Sequence, residues 1–211
     1  RILEFLYGLY EQAKRYANAE STLNQISQIK KELYGENSPE YHLSQIALAN
    51  FYLDFTNKVE AAGKIYENSY EKLLAKEIHL KHKDHLTMLY HIASYYELTD
   101  KFSLASKTLE KASDAARTKY TNTDPTFAIA LNQMAKLRIK IGDYDNADVD
   151  IDRSLKIFDL KENRDDKWKA DYISAIETQA KLYGIKGMFD EAQGNLDRTR
   201  SMIRKSKVPI G

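Results

Sequence analysis

The residues of this chain best suited to chemistry are its histidines and its clustered carboxylates. Four of the five histidines are His79, His82, His85 and His91, and the spacing His79-x-x-His82-x-x-His85 could gather imidazoles for zinc or nickel. No carboxylate and histidine at i, i+4 completes a tetrahedral set there, and the segment straddles a helix boundary. A solvated turn is the plainer reading, and no metal site is assigned. His42 stands alone and reads as a surface or groove residue. Asp143, Asp145, Asp148, Asp150 and Asp152 have the look of a calcium loop, but Ala147 and Asp148 occupy the fifth and sixth positions, where the loop needs an oxygen ligand and a glycine. Asp143 and Asp145 fit better at a helix start, where negative charge meets the positive end of the dipole. The basic run Arg198, Arg200, Arg204, Lys205 and Lys207 suits a helix C-terminus and a solvated face better than a phosphate site. The sequence has no glycine-rich phosphate loop, no Gly-x-Ser-x-Gly and no cysteine nucleophile. No catalytic residue and no cofactor is expected, so the chain does not read as an enzyme.

What carries these side chains is a repeat. The stretch Ile141-Gly142-Asp143-Tyr144-Asp145-Asn146-Ala147 returns in altered form around Ala19, Ala62, Ala105 and Ala192, which sets intervals of 43, 43, 42 and 45 residues. Five residues ahead of each alanine stand Lys14, Asn57, Asp100, Gly142 and Gly187, and four of the five tolerate the left-handed backbone found just past a helix C-terminus. Three ahead come Tyr16, Val59, Phe102, Tyr144 and Phe189, placed to wedge between an outgoing and an incoming helix. The alanine lets the two backbones approach. Four beyond it, on the same helix face, come Leu23, Tyr66, Leu109, Ile151 and Leu196, all suited to burial.

The spacing predicts helices at about 1–14 and 17–34, 39–55 and 59–78, 83–98 and 102–119, 125–141 and 144–160, and 167–184 and 188–206. Ser38 before Pro39 and Asp124 before Pro125 are predicted N-caps with proline at the first helical position. Ala49 and Tyr52 sit one residue early in their unit, which implies an extra residue in the turn near Asn57. Gly8, Gly63, Gly184 and Gly194 fall inside helices and are expected at close packing or soft points.

With 43% apolar and 30% charged residues the chain can bury a continuous core, and no apolar run is long enough to span a membrane. The balance of 32 basic and 31 acidic residues argues against a nucleic-acid partner, which needs a net basic surface. Absence of cysteine excludes disulfides but leaves the compartment open, with the cytoplasm as the default. The sequence begins at Arg1 within a helix and stops at Gly211 without a tail, and reads as one domain, 1–211, excised from a longer protein.

The small residue, tyrosine, glycine turn, aromatic and alanine seen from Ala135 through Ala147 and from Ala180 through Ala192 resemble the tetratricopeptide repeat (TPR) family. The usual unit is about 34 residues, so the longer period is similar to the kinesin light chain class. The resemblance implies an all-α, right-handed α-solenoid of about five stacked helix-turn-helix repeats, with units of about 1–35, 36–80, 81–121, 122–163 and 164–207. It also implies that the first helices line a concave groove. Counting from the alanines, the polar positions on that face are Asn50, Asp54, Tyr90, Ser94, Glu97, Asn132, Lys136, Lys140, Glu177 and Lys181. Asn132 with Lys136 is similar to part of the carboxylate clamp of chaperone-binding relatives, but the other clamp positions do not match, so a chaperone tail is not expected. The function implied is a protein-interaction scaffold that takes a partner's peptide or helix. The alternatives are a regulatory segment of a larger enzyme or signalling protein, such as a protease or kinase, and a structural module that self-associates through its terminal repeats.

Overall fold

A computed structural model describes residues 2–75, 82–160 and 165–205, and helices occupy nearly all of them. In order they are α1 Ile2–Gln12, α2 Tyr16–Tyr34, α3 Pro39–Phe55, α4 Val59–Ala75, α5 His82–Leu98, α6 Phe102–Lys119, α7 Pro125–Lys140, α8 Tyr144–Phe158, α9 Lys169–Ile185 and α10 Phe189–Lys205. One 3-10 turn, Asp166–Trp168, precedes α9. No described helix is long and apolar enough to cross a membrane.

The helices stop where the repeat supplies a left-handed residue. Gly142 and Gly187 have φ of 82° and 77°. Asp100 adopts 56°, and so does Lys14 at 55°, although lysine pays about 1–2 kcal/mol for that conformation. Four turns close with the same long backbone bond: Arg15 N to Tyr10 O, Lys101 N to Tyr96 O, Asp143 N to Arg138 O, and Met188 N to Tyr183 O, all 2.8–2.9 Å. The α3–α4 turn is built differently. Thr56 there is extended, at φ −136°, and Asn57 does not take up positive φ, which fits an extra residue at that turn. Both predicted caps form: Ser38 Oγ accepts from Tyr41 N at 3.2 Å, and Asp124 Oδ1 accepts from Thr126 N at 2.8 Å.

The chain divides into two compact units, Arg1–Lys101 and Phe102–Gly211. In the first, each helix packs on its neighbour in sequence, and α3 also touches α5. In the second, α6 to α10 pack in the same way, and α7 also touches α9. Ala19, Ala62, Ala105 and Ala147 are fully buried, as are Leu23, Tyr66, Leu109 and Ile151 one turn on. That is the seam the spacing predicted.

Its last member departs. Ala192 is only half-buried, Leu196 is 41% exposed and Phe189 is 71% exposed, because α10 packs on α9 and no helix among the described residues covers its other side. Tyr16 and Phe102 are half-buried, whereas Tyr144 is 37% exposed. Of the four helix glycines only Gly63 has a close neighbour. A Cβ there would stand 2.2 Å from Tyr95 Cζ, whereas nothing lies within 4 Å of one built at Gly8, Gly184 or Gly194.

Candidate functional site

The helical period that places ten polar residues on the first helices also decides what each can meet, since successive first helices lie side by side in α3–α5 and α7–α9. In the second unit the contact is a small polar cluster. Ser174 Oγ, on α9, accepts from Lys136 Nζ at 2.8 Å and from Asn132 Nδ2 at 3.2 Å, both on α7. Asn132 is 3% exposed, and its Oδ1 accepts no hydrogen bond among the described residues. Glu177 and Lys181 follow on α9 and are exposed. Lys140 is not part of this cluster: its Nζ lies 5.3 Å from the centre of the Phe102 ring, towards α6.

The first unit places its polar residues differently. Asn50 is taken up inside a hairpin, where its Oδ1 accepts from the buried Tyr66 hydroxyl at 2.8 Å. Burial pushes the Tyr66 phenol far up, so it stays a donor. Asp54 pairs across the helices with His91, whose Nε2 is 3.2 Å from Asp54 Oδ2. On α5, Ser94 is exposed and Tyr90 and Glu97 are half-buried.

Burial works against the charged His91 imidazole, but the Asp54 carboxylate and the Thr87 carbonyl outweigh it and hold the ring above the usual histidine range. A raised folded value makes the sign definite. The pair's contribution is full below the unfolded value of about 6.5 and is lost as pH rises through the higher folded value. Urea midpoints of the parent chain and a His91→Gln variant should therefore differ at about pH 5.5 and converge by about pH 8.5. Asp54 is half-exposed, so the difference is small, on the order of 0.5 kcal/mol. Curves that stay parallel across that range would mean that the pair does not titrate.

The residues first read for metal chemistry go elsewhere. His79 lies outside the described residues, His82 opens α5 and His85 is half-buried on it. His42, expected at the surface or in the groove, is 1% exposed, because it lies on the face of α3 that meets α4; its Nδ1 is 3.3 Å from Ser69 Oγ. The aspartates of α8 disperse to separate partners, Asp148 to Lys186, Asp150 to Arg138 and Asp152 to Gln179. Among the described residues no group of three histidine, cysteine or carboxylate side chains is placed to hold a metal ion. Arg198 spends its charge on Asp159, at 2.7 Å, and stacks on Tyr172.

Ser174 and His91 were not among the ten groove positions. Ser174 stands 42 residues after Asn132, one repeat further on, and that spacing is the signal that could have found it.

No protein-family model and no curated protein sequence matches the chain. Solved structures do. BtubC (BKLC) from P. vanneervenii superposes with a TM-score of 0.78 at 21% identity, over 99% of this chain and 82% of that one. The crystal structure of a Podosopora anserina putative kinesin light chain with nearly identical TPR-like repeats gives 0.75 at 20% identity, over 98% of this chain and 96% of that one. The apo form of RapI gives 0.71 at 11% identity, over 98% of this chain and 54% of its own. These likenesses, with helices, turns and seam in the places described, show that the chain has the all-helical solenoid fold of the TPR-like repeat proteins.

Proposed function

We propose that the chain is a protein-interaction scaffold that takes a peptide or helix of a partner protein on the exposed faces of its first helices. The observation that carries this reading is the tied polar face of α7 and α9. Lys136 and Asn132 are drawn onto Ser174, so the spacing of the two helices is set before any ligand arrives, and little order remains to be imposed on binding. A peptide carbonyl or carboxylate suits Lys136 and Lys181. The buried Asn132 Oδ1 would suit a backbone N–H of a ligand if Lys136 swung away to uncover it, which would relieve a desolvation cost of about 1–3 kcal/mol. The residues that converge are an amide, an ammonium and a hydroxyl already bonded to one another. That is a binding surface rather than a nucleophile with its base. A formal net charge of +1 favours a protein partner over nucleic acid.

The test is a random peptide library displayed on phage and panned against the chain, with the recovered peptides measured by fluorescence anisotropy. Lys136→Glu together with Lys181→Glu is expected to weaken the groove binders at least about tenfold, or about 1.4 kcal/mol. Unchanged affinity for every recovered peptide would reject the assignment.

A further inference from the structure

The two units tie their neighbouring first helices with different chemistry. In the second, Lys136, Asn132 and Ser174 join α7 to α9, and no imidazole takes part. In the first, α3 meets α5 through Asp54 and His91, and both nitrogens of the His91 ring face acceptors. Nε2 lies 3.2 Å from Asp54 Oδ2, and Nδ1 lies 3.0 Å from the Thr87 carbonyl. A neutral imidazole carries one N–H and can satisfy only one of these acceptors, whereas the imidazolium donates to both. The geometry is that of the protonated ring, so the place beside Asp54 is already held by a cation.

Among the described residues His91 is the one cationic side chain bonded to Asp54. The helices α1 and α3 contain no lysine or arginine, and Lys58, the nearest lysine in sequence, lies 2.6 Å from Glu20. What α1 adds is a second carboxylate: the Tyr7 hydroxyl donates to Glu11, and burial together with Glu11 and Asp54 pushes that phenol up. From α4 comes the buried Tyr66 phenol, which donates to Asn50, and on α5 the half-buried Tyr90 adjoins the ring in sequence. The Asp54 side chain is 49% exposed and stays within reach of a ligand.

We propose that a proton on His91 and a lysine or arginine side chain of the partner segment compete for Asp54, so that the first unit binds such a segment only once the imidazole is neutral. This rests on the reading of the first-helix faces as the binding surface, and it adds the partner's charge and the control of binding by pH. Loss of the proton leaves the carboxylate with a neutral donor at most. A ligand ammonium or guanidinium then supplies the charge-assisted hydrogen bond that the ring has withdrawn. Against the pull of burial, Asp54 and Thr87 hold the ring above the usual histidine range. More than about nine-tenths of it is therefore protonated at about pH 5.5, and the apparent affinity there falls at least about tenfold below that at about pH 8.5. By reciprocity, a bound cation must make the ring release its proton at lower pH.

Phage-displayed random peptides without histidine, captured on the parent chain at about pH 8.5 and released at about pH 5.5, test this. The released pool is expected to be rich in lysine or arginine, and fluorescence anisotropy should show the tenfold loss of affinity between the two pH values. On His91→Gln the loss at acid pH should disappear. On Asp54→Asn the affinity at the higher pH should fall at least about tenfold and no longer follow pH. The NMR titration of the His91 imidazole in the parent chain should move to lower pH when a recovered peptide is added. Acid release that persists in His91→Gln, a pool without basic residues, or an unmoved His91 titration overturns the proposal. So does a pool that loses affinity on Lys136→Glu with Lys181→Glu but not on Asp54→Asn, an outcome that leaves the second unit's binding surface standing.

Discussion

Gly63→Ala is expected to lower stability by about 2 kcal/mol, although alanine in a helix is intrinsically favoured over glycine by about 1 kcal/mol. Gly63 lies in α4 at the place where Tyr95 of α5 lays its ring, and an added Cβ would meet Tyr95 Cζ at 2.2 Å and its hydroxyl at 2.3 Å. The ring has little freedom to retreat. Tyr95 is 6% exposed, and its centroid is 6.1 Å from that of Tyr66 and 5.3 Å from that of Tyr96. Lys101 Nζ covers it from 5.6 Å. The first hairpin shows the alternative solution. There Glu20 takes the place of Gly63, one residue after its alanine, and accepts from the Tyr52 hydroxyl at 3.0 Å instead of yielding to a ring. Burial and that carboxylate push the Tyr52 phenol up to about 12. Urea unfolding of Gly63→Ala, Tyr95→Leu and the double variant forms a cycle. In the Tyr95→Leu background the alanine should become neutral or favourable. A Gly63→Ala chain more stable than its parent would show that helix propensity alone governs this position.

Arg138→Met is expected to cost about 2–3 kcal/mol near neutral pH, whereas Asp150→Asn should stay within about 1 kcal/mol of the parent. Arg138 stands nine residues ahead of its alanine, where three other repeats carry Tyr10, Tyr96 and Tyr183. Its Nη1 lies 2.5 Å from Asp150 Oδ2 and 3.3 Å from the Asn146 carbonyl, and its Nε lies 3.9 Å from Asp143. The two partners are unequally placed. Asp150 is 9% exposed, while the arginine side chain is 30% exposed and keeps Asp143 and solvent when Asp150 becomes neutral. Removing the arginine strands a buried carboxylate, and removing the carboxylate strands nothing.

Burial raises the Asp150 pKa, and Arg138 opposes that shift without cancelling it. The folded chain therefore holds this proton more tightly than the unfolded one. Stability linked to it is full below the unfolded value of about 3.9 and is lost as pH rises through the folded value. Methionine at 138 raises the folded value further, so the deficit should be largest near pH 7 and shrink towards about pH 4. Thermal melts of both variants at the two pH values check this, and an equal deficit at each would remove charge from the explanation.

The architecture was legible because it is written in local terms. Asp100, Gly142 and Gly187 mark left-handed turns, Ser38 and Asp124 cap their helices, and the alanines at 19, 62, 105 and 147 are fully buried. Each of those signals acts within a few residues of itself. The candidate site was legible only as a face. Periodicity places Asn132 and Lys136 one turn apart, but Ser174 is 38 residues beyond Lys136, and only the packing of α9 on α7 brings it within 2.8 Å. The same reasoning chose Asn50 for the groove, where Tyr66 claims it, and put His42 outside, where α4 covers it.

By itself, then, the sequence determined the period, the helices, the turns and the small residues that let hairpins close, since backbone sterics and helix geometry act along the chain. Tertiary structure alone decided which polar group meets which. It sent Asp54 to His91, Asp150 to Arg138 and Asp148 to Lys186. Hydrogen bonds and ion pairs fall off within a few ångströms, and separations on that scale between helices of different repeats are set by how side chains interlock, which no spacing along one chain records.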